Sequence, residues 1–290
     1  MAKIAVTDGL SAEAKVLLEK NGHEVVGNLD DESRVVLEPV LSCTSRNISP
    51  VCSPCGEGKI GNCENVTIGE ISPGIQTGSC HDTGGGWATE FYAHPSQLHS
   101  VPDDLSDEAA VMIEPTACGI HAALAAELPE DGVVAILVSG TLGQVTISAL
   151  RQYTKPKAII STARYPEQKK LAAALGADLV VAPNEIHRAI RRVCGTRAIA
   201  NVSEKKPEGR VDRLTGGADV VIDCVGSSQS ISDALAITKP KGRIVLVGMP
   251  SIVELELTPL WHRELQIIGA YTYGTEVLED GKTTSTFDLA

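Results

Sequence analysis

Residues 132–144 read GVVAILVSGTLGQ. Gly132–Ser139 (GVVAILVS) is a continuous, largely β-branched apolar run, the pattern of a strand buried on both faces. Ser139-Gly140-Thr141-Leu142-Gly143-Gln144 follows at once, and Leu142, Val145, Ile147 and Leu150 then give Leu142–Gln152 the apolar spacing of a short helix. A strand, a glycine turn and a helix N-terminus form an anion site, because unpaired backbone N–H groups and the helix dipole point at the same place. The full G-x-G-x-x-G spacing is absent, since only Gly140 and Gly143 are present. A tight strand-to-helix turn needs glycine whether or not it binds anything, so the flanking sequence has to decide.

Outward from this turn, strands and helices alternate. Lys157–Thr162 (KAIIST) reads as a strand and Pro166–Leu175 as a helix, which Gly176 ends just past its last turn. Leu179–Ala182 is a third short strand, and Asn184 is expected to cap a basic helix running through Arg192. Ala218–Val225 (ADVVIDCV), Arg243–Val247 (RIVLV) and Leu265–Ala270 (LQIIGA) complete six strands. The fold class is therefore α/β, a doubly wound parallel sheet with helices on both faces. Gly195–Arg210, polar and interrupted by Pro207, reads as a loop or a loosely helical insertion.

The first half has a different texture. Gly, Pro, Ser and Cys punctuate residues 40–100, so short strands and turns are expected in a second, β-rich domain. Ser106 as a cap, with Asp107 and Glu108 in the first turn, starts a helix through Ala126. Cys43, Cys52, Cys55 and Cys63 have eight, two and seven residues between them, and Pro50, Pro54, Gly56, Gly58 and Gly61 bend the backbone around them. Four thiolates on one tight loop are the donor set of a closed tetrahedral zinc site, which replaces the core so small a lobe cannot build. The alternative is a set of free buried thiols. Cys80, Cys118, Cys194 and Cys224 stand apart and read as ordinary free thiols.

Composition narrows the partners. With 25 Lys+Arg against 37 Asp+Glu, the net charge of −12 makes nucleic acid and anionic membrane poor partners. The longest uncharged apolar run, Gly132 to Val138, is far below the roughly 18 residues of a membrane helix, and the first residues read as strand and helix, not signal peptide, so a cytoplasmic address is expected. Two Phe, two Trp and five Tyr leave the core to Val, Ile, Leu and Ala.

The second strand ends in Ser161-Thr162-Ala163-Arg164, where a site for NAD would place an acid to accept from the ribose 2′-OH. Small hydroxyl residues and an arginine attract a 2′-phosphate instead, which points to NADP over NAD. The competing reading makes Arg164 a solvated residue at a helix start. His81, His94, His99, His187 and His262 read as surface or loop histidines and His121 as packed. Trp87 and Trp261 read as packing residues, His187–Arg192 as a solvated face, and Gly84-Gly85-Gly86 as a turn.

Taken together, Gly22-His23-Glu24 before Val25-Val26-Gly27, Arg34–Cys43 (RVVLEPVLSC), the four-Cys lobe, Gly85–Phe91 (GGWATEF), Gln97–Pro102 (QLHSVP), Glu114-Pro115 ahead of His121-Ala122, and the Ala218–Gly226 and Arg243–Gly248 strands resemble the zinc-containing medium-chain dehydrogenases. The resemblance covers residues 22 to 290. It implies a Rossmann domain over 126–275 beside a partial β-rich, GroES-like catalytic domain over 1–125 with the structural zinc lobe, and a shortened C-terminal segment over 276–290. It also implies a nicotinamide cofactor, NADP or NAD, held by Gly140, Thr141, Leu142, Gly143, Thr162, Arg164, Cys224, Val225, Gly226, Val247 and Gly248. The implied reaction oxidises an alcohol or polyol to a carbonyl by hydride transfer, and the implied assembly is a homodimer or homotetramer through the edge strand near Leu265–Ala270. His23, Glu24 and Glu114 would serve a catalytic zinc, His23 and Glu114 as ligands, although the Cys ligand that precedes Gly-His-Glu in the family has no counterpart here.

Met1–Val26 also resembles the opening of D-3-phosphoglycerate dehydrogenase, a strand, a helix capped by Ser11 and a second strand. His23 is thus either a ligand or a plain turn residue. Two other functions stay open: a catalytically impaired zinc- and nucleotide-binding protein, and, more weakly, a 2-hydroxy acid dehydrogenase.

Overall fold

The structure is a computed structural model that describes residues 3–4, 24–25, 34–85, 91, 93–199, 213–278 and 281–290. It divides into two compact units, Met1–Glu114 with Tyr273–Ala290, and Pro115–Thr272. In the first unit β1 (Lys3–Ile4) pairs in parallel with β2 (Glu24–Val25). The helix expected between them lies outside the described residues. His23, the Ser11 cap and Trp87 lie outside the described residues. β3 (Val35–Leu37) pairs antiparallel with β4 (Leu98–Ser100). The buried amide of Gln97 fastens this ribbon by donating to Glu38 O at 3.1 Å and Thr77 Oγ1 at 3.2 Å.

The second unit contains the parallel sheet. Its strands are β5 (Val133–Leu137), β6 (Ala158–Thr162) and β7 (Leu179–Val181), with β8 (Ala198–Ile199) and β9 (Arg213–Leu214) forming a separate antiparallel pair, then β10 (Ala218–Asp223), β11 (Thr238–Leu246) and β12 (Gln266–Gly269). The sheet order is β12-β11-β10-β5-β6-β7, so the chain starts in the middle, winds outward through β7, then crosses β5 to β10. That reversal makes β5 the switch strand, where ligands bind beyond the strand C-termini. All five residues of β5 are buried, which explains its unbroken apolar run. It pairs with β10 on one side (Ile222↔Ile136) and β6 on the other (Ile136↔Ser161). Ile160, Ile190, Val221, Leu235 and Ile244 are among the side chains that fill the core beside it.

Helices lie close to their expected places, with instructive exceptions. Pro166–Ala174 ends at Gly176, whose φ of +113° is the left-handed conformation a helix C-terminus needs. Asn184 is not a cap: Pro183–Glu185 forms a 3-10 turn, and the helix Ile186–Val193 starts behind Glu185, whose carboxylate accepts from Ala182 N at 3.0 Å. The expected helix from Ser106 is two pieces, Asp107–Ala110 capped by the Ser106 hydroxyl, and Ile113–Ala125. The segment expected as a loop or loose helix from Gly195 to Arg210 includes the strand β8, which pairs with β9 beyond its end.

The chain then returns to the first unit through β13 (Thr275–Val277) and β14 (Thr283–Ser285), an antiparallel pair followed by the short helix Thr286–Leu289. Thr275 Oγ1 donates to Gly58 O at 3.2 Å, tying this hairpin to the cysteine lobe. No helix among the described residues is long and apolar enough to cross a membrane.

Candidate functional site

The cysteine lobe is built by turns. Cys43 opens the tight run before Ile48, the one-turn helix Ser53–Gly56 sets Cys55 behind Cys52, and the 3-10 turn Ile60–Asn62 delivers Cys63. The four Sγ atoms lie within 4.8 Å of one another. Cys43 Sγ is 3.6 Å from Cys52 Sγ and 3.7 Å from Cys63 Sγ. A tetrahedron with zinc–sulfur bonds of about 2.3 Å has edges of about 3.8 Å, so the sulfurs already stand at the spacing zinc requires. N–H donors point at them: Cys52 N (3.4 Å) and Asn65 Nδ2 (3.3 Å) to Cys43, and Asn65 N (3.4 Å) to Cys63. Burial pushes the Cys55 and Cys63 thiols up; at Cys52 the same effect is outweighed by backbone N–H groups and neighbouring thiols, which bring it down to about 7. Thiols this close cannot ionise together unless a cation joins them, and a closed tetrahedral four-thiolate set is one that suits zinc.

Arg46 is the residue of this lobe that sequence reading missed. Fully buried, it donates through Nη1 to the carbonyls of Ile68 (3.2 Å), Ile71 (3.1 Å) and Ser72 (3.2 Å), and through Nη2 to that of Gly74. One guanidinium thus gathers the 68–74 loop beside the cysteines, and no local sequence signal announces such a role.

At the sheet the two glycines have separate tasks. A Cβ on Gly140 would meet nothing within 4 Å, so the turn leaves open space in front of the helix Thr141–Tyr153. A Cβ on Gly143 would meet Val138 O at 2.5 Å, so this glycine permits helix and strand to touch. That division suits a dinucleotide turn, with room for pyrophosphate at one glycine and close packing at the other. The first glycine of the missing spacing is replaced by Val138, which nevertheless adopts φ +66°. Thr162 holds it there: its hydroxyl accepts from Val138 N at 2.8 Å, and its carbonyl accepts from Ser139 N at 2.8 Å. The expected cofactor residue Thr162 therefore supports the turn. A left-handed β-branched residue costs about 1–2 kcal/mol. Val138→Gly is expected to stabilise the chain by roughly 1 kcal/mol after the extra freedom of unfolded glycine is counted. A thermal melt checks this, and a lowered midpoint would contradict it.

Arg164 is exposed just beyond β6, and its guanidinium has no partner among the described residues, beside a cleft also lined by Val138, Pro183, Val225 and Gln229. Across the switch, Cys224, Val225, Gly226, Val247 and Gly248 come together around Asp223, another residue sequence reading passed over. The fully buried Asp223 carboxylate accepts from Val225 N (2.9 Å), Gly226 N (3.3 Å) and Ser230 Oγ (2.8 Å), and its carbonyl accepts from Val247 N (2.9 Å) and Gly248 N (3.0 Å). Burial pushes its carboxyl up, while the backbone N–H of Val225 and the Ser230 hydroxyl draw it down. Its signal was an acid directly after the apolar stretch Val220-Val221-Ile222. Burial and the Asp223 charge push the Cys224 thiol up to about 12, so it is an inert wall.

Other expectations are corrected. His187 is not a surface residue: it is 3 % exposed and its Nε2 pairs with Asp233 Oδ1 at 2.8 Å. Within His187–Arg192 only the three arginines are exposed. His99 lies on β4, bonded to Glu38 Oε2 at 2.8 Å and stacked on Phe287. Trp261 is 81 % exposed and does not pack. Glu114 sits in the first turn of the helix Ile113–Ala125. Among the described residues, the four cysteines are the one group of three or more side chains that could share a metal.

Comparison with known proteins agrees with this geometry. Residues 141–284 match the zinc-binding dehydrogenase family. The L-idonate 5-dehydrogenase of Vitis vinifera is 32% identical over 265 residues, covering 90% of this chain and 63% of that protein. The sorbitol dehydrogenase of Arabidopsis thaliana is 29% identical over 267 residues, covering 90% and 64%. The chain thus spans just under two thirds of the length of these curated relatives. Among solved structures, a Sinorhizobium meliloti protein assigned to the zinc-binding dehydrogenases and bound to NADP superposes with a TM-score of 0.58 at 26% identity, over 83% of this chain and 62% of that one. The galactitol-1-phosphate dehydrogenase of Escherichia coli gives 0.62 at 21% identity, over 99% and 79%. The sheet order and glycine turn define a doubly wound α/β fold of the nucleotide-binding kind. Residues 141–284 belong to the zinc-binding dehydrogenase family, and the likeness to the idonate and sorbitol dehydrogenases extends over 90% of the chain.

Proposed function

We propose that the chain binds a nicotinamide dinucleotide at the C-terminal ends of β5, β6 and β10, NADP in preference to NAD, and exchanges hydride with an alcohol or polyol. The observation that carries this is the pair of glycines at the switch strand, one open to a ligand and one closed by packing, with Arg164 unpaired beyond the neighbouring strand. In this reading the backbone N–H groups at Gly140 and the helix N-terminus receive the pyrophosphate. Arg164 receives the 2′-phosphate, and Gly226 and Gly248 let the cofactor approach the backbone around Asp223. The bound nicotinamide supplies the hydride acceptor. The polyol class is supported by the idonate and sorbitol dehydrogenases among the relatives.

The four cysteines hold a structural zinc and leave it no open position. A second, catalytic zinc is assigned to His23 and Glu114, with Glu24 beside it, on the likeness of their motifs alone. Zinc per chain separates the cases, two supporting a catalytic site and one the lobe alone. Self-association as a homodimer or homotetramer is proposed from the edge strand β12 and the exposed Met249, Ile252 and Trp261.

The test is a panel of polyols with NADP and NAD, followed by formation of reduced cofactor. Turnover with NADP supports the proposal. Binding of cofactor without turnover supports the second reading, an impaired relative, which Val138 in place of a turn glycine favours. Arg164→Ala is expected to lower NADPH affinity roughly tenfold or more while leaving NADH nearly unchanged, since one charge-assisted contact to phosphate is removed. Unchanged selectivity in a fluorescence titration would remove the NADP assignment.

A further inference from the structure

We propose that the opposite end of the sheet, at the N-terminal ends of β10 and β12, carries a second anion site that takes a phosphate group, free or esterified on a small metabolite. A cavity of about 160 Å³ opens there, lined by Arg213, Thr215, Lys241, His262, Arg263 and Glu264. Arg263 is 4 % exposed and its guanidinium faces no carboxylate among the described residues; Nη1 donates to Ala236 O (3.2 Å) and Nη2 to Gly216 O (2.7 Å). Those bonds fix the group's orientation and leave its charge uncompensated. Arg213 stands beside it, and its Nε is buried without a hydrogen-bond partner. Burial, and then the Arg213 charge, lower the Arg263 pKa to about 10, as expected of two cations sharing one desolvated place.

The acid on the lining, Glu264, lies 3.5 Å from Lys241 Nζ with both side chains largely exposed, so it leaves the two arginines unmatched. The backbone adds an independent sign. Lys241 (φ +62°) and Glu264 (φ +52°) are both non-glycine residues held in the left-handed region, and both line this cavity. Lys241 lies where the β10–β11 register shifts, and its N donates to Arg263 O at 2.8 Å. Strain of this kind persists where surrounding structure enforces it, and it gathers at ligand sites. Planar guanidiniums in a part-desolvated cleft with a lysine at the rim favour a compact, doubly charged oxyanion.

The test is calorimetric titration of the full zinc-loaded chain with inorganic phosphate and with methyl phosphate at fixed ionic strength, under saturating NADPH so that the glycine turn is closed to anions. One phosphate per chain is expected. Arg213→Gln and Lys241→Gln should each weaken it roughly tenfold or more, with Lys170→Gln, on the exposed face of the helix Pro166–Ala174, unchanged. Arg263 is left intact because its bonds to Ala236 and Gly216 support the fold, and the exposed Lys241 gives a variant with little risk to folding. Tighter methyl phosphate would assign an esterified ligand, and tighter inorganic phosphate the free ion; either supports the site. No binding under NADPH, or binding that both variants leave unchanged, would overturn it. NADPH saturation is established first by its own fluorescence, so that a failure there counts against the cofactor reading alone and the phosphate titration reports only the opposite end of the strands.

Discussion

The Cys43→Ser variant is expected to lose its zinc and, with it, the order of the lobe around residues 40–85. Zinc held by four thiolates contributes on the order of 10–16 kcal/mol of apparent binding free energy, and in a lobe built of turns that energy is folding energy. Cys43 is the worst position to lose. It is fully buried, two sulfurs stand at tetrahedral spacing from it, and two N–H donors already point at it. A serine hydroxyl offers neither the charge nor the softness of a thiolate. Elemental analysis should read zinc lost from this variant and retained by Cys194→Ser, whose thiol lies in the other unit. Proteolysis should open the 40–85 region in the first variant alone. A Cys43→Ser chain that keeps its zinc would show that the metal is held elsewhere.

Gly248→Ala should be among the most damaging methyl additions at the ligand end of the sheet. Its Cβ would lie 2.3 Å from Val225 N and 2.4 Å from Val225 C, both backbone atoms that cannot swing aside. The ends of β10 and β11 would have to part, losing the bonds from Val247 N and Gly248 N to Asp223 O. Overpacking of about 1–3 kcal/mol and two hydrogen bonds of about 1 kcal/mol each give roughly 3–5 kcal/mol, a large part of a marginal stability. The melting temperature should fall by about 6–20 °C, and dinucleotide binding should weaken with it. Gly140→Ala, where nothing stands within 4 Å, is the contrast: the fold should persist while a ligand at the turn loses its space. Equal melting of Gly248→Ala and the parent would contradict this account of the crevice.

These cases also show what a sequence can reveal. β5 was legible because burial on both faces leaves an unbroken apolar run, β6 and β10 because each keeps a β-branched stretch, Ile159-Ile160 and Val220-Val221-Ile222, and the cysteine lobe because zinc demands a fixed ligand set. His187 was misread because its helix is basic along most of its length, while its partner Asp233 is 46 residues away. Arg46 was invisible for a similar reason, since a side chain that collects carbonyls leaves no pattern in the residues it collects. Val138 broke the glycine spacing, yet the turn survives through Thr162, a strand away. Local pattern reports burial and turn chemistry; it does not report which distant polar groups will satisfy one another.

The account's central claim is that the switch end of this sheet holds a nicotinamide dinucleotide. Fluorescence titration of NADPH into the full zinc-loaded chain tests it most directly. The account predicts one saturable site per chain, with NADPH held more tightly than NADH. Absence of saturable binding by either nucleotide, in a chain whose zinc and fold are intact, would contradict it.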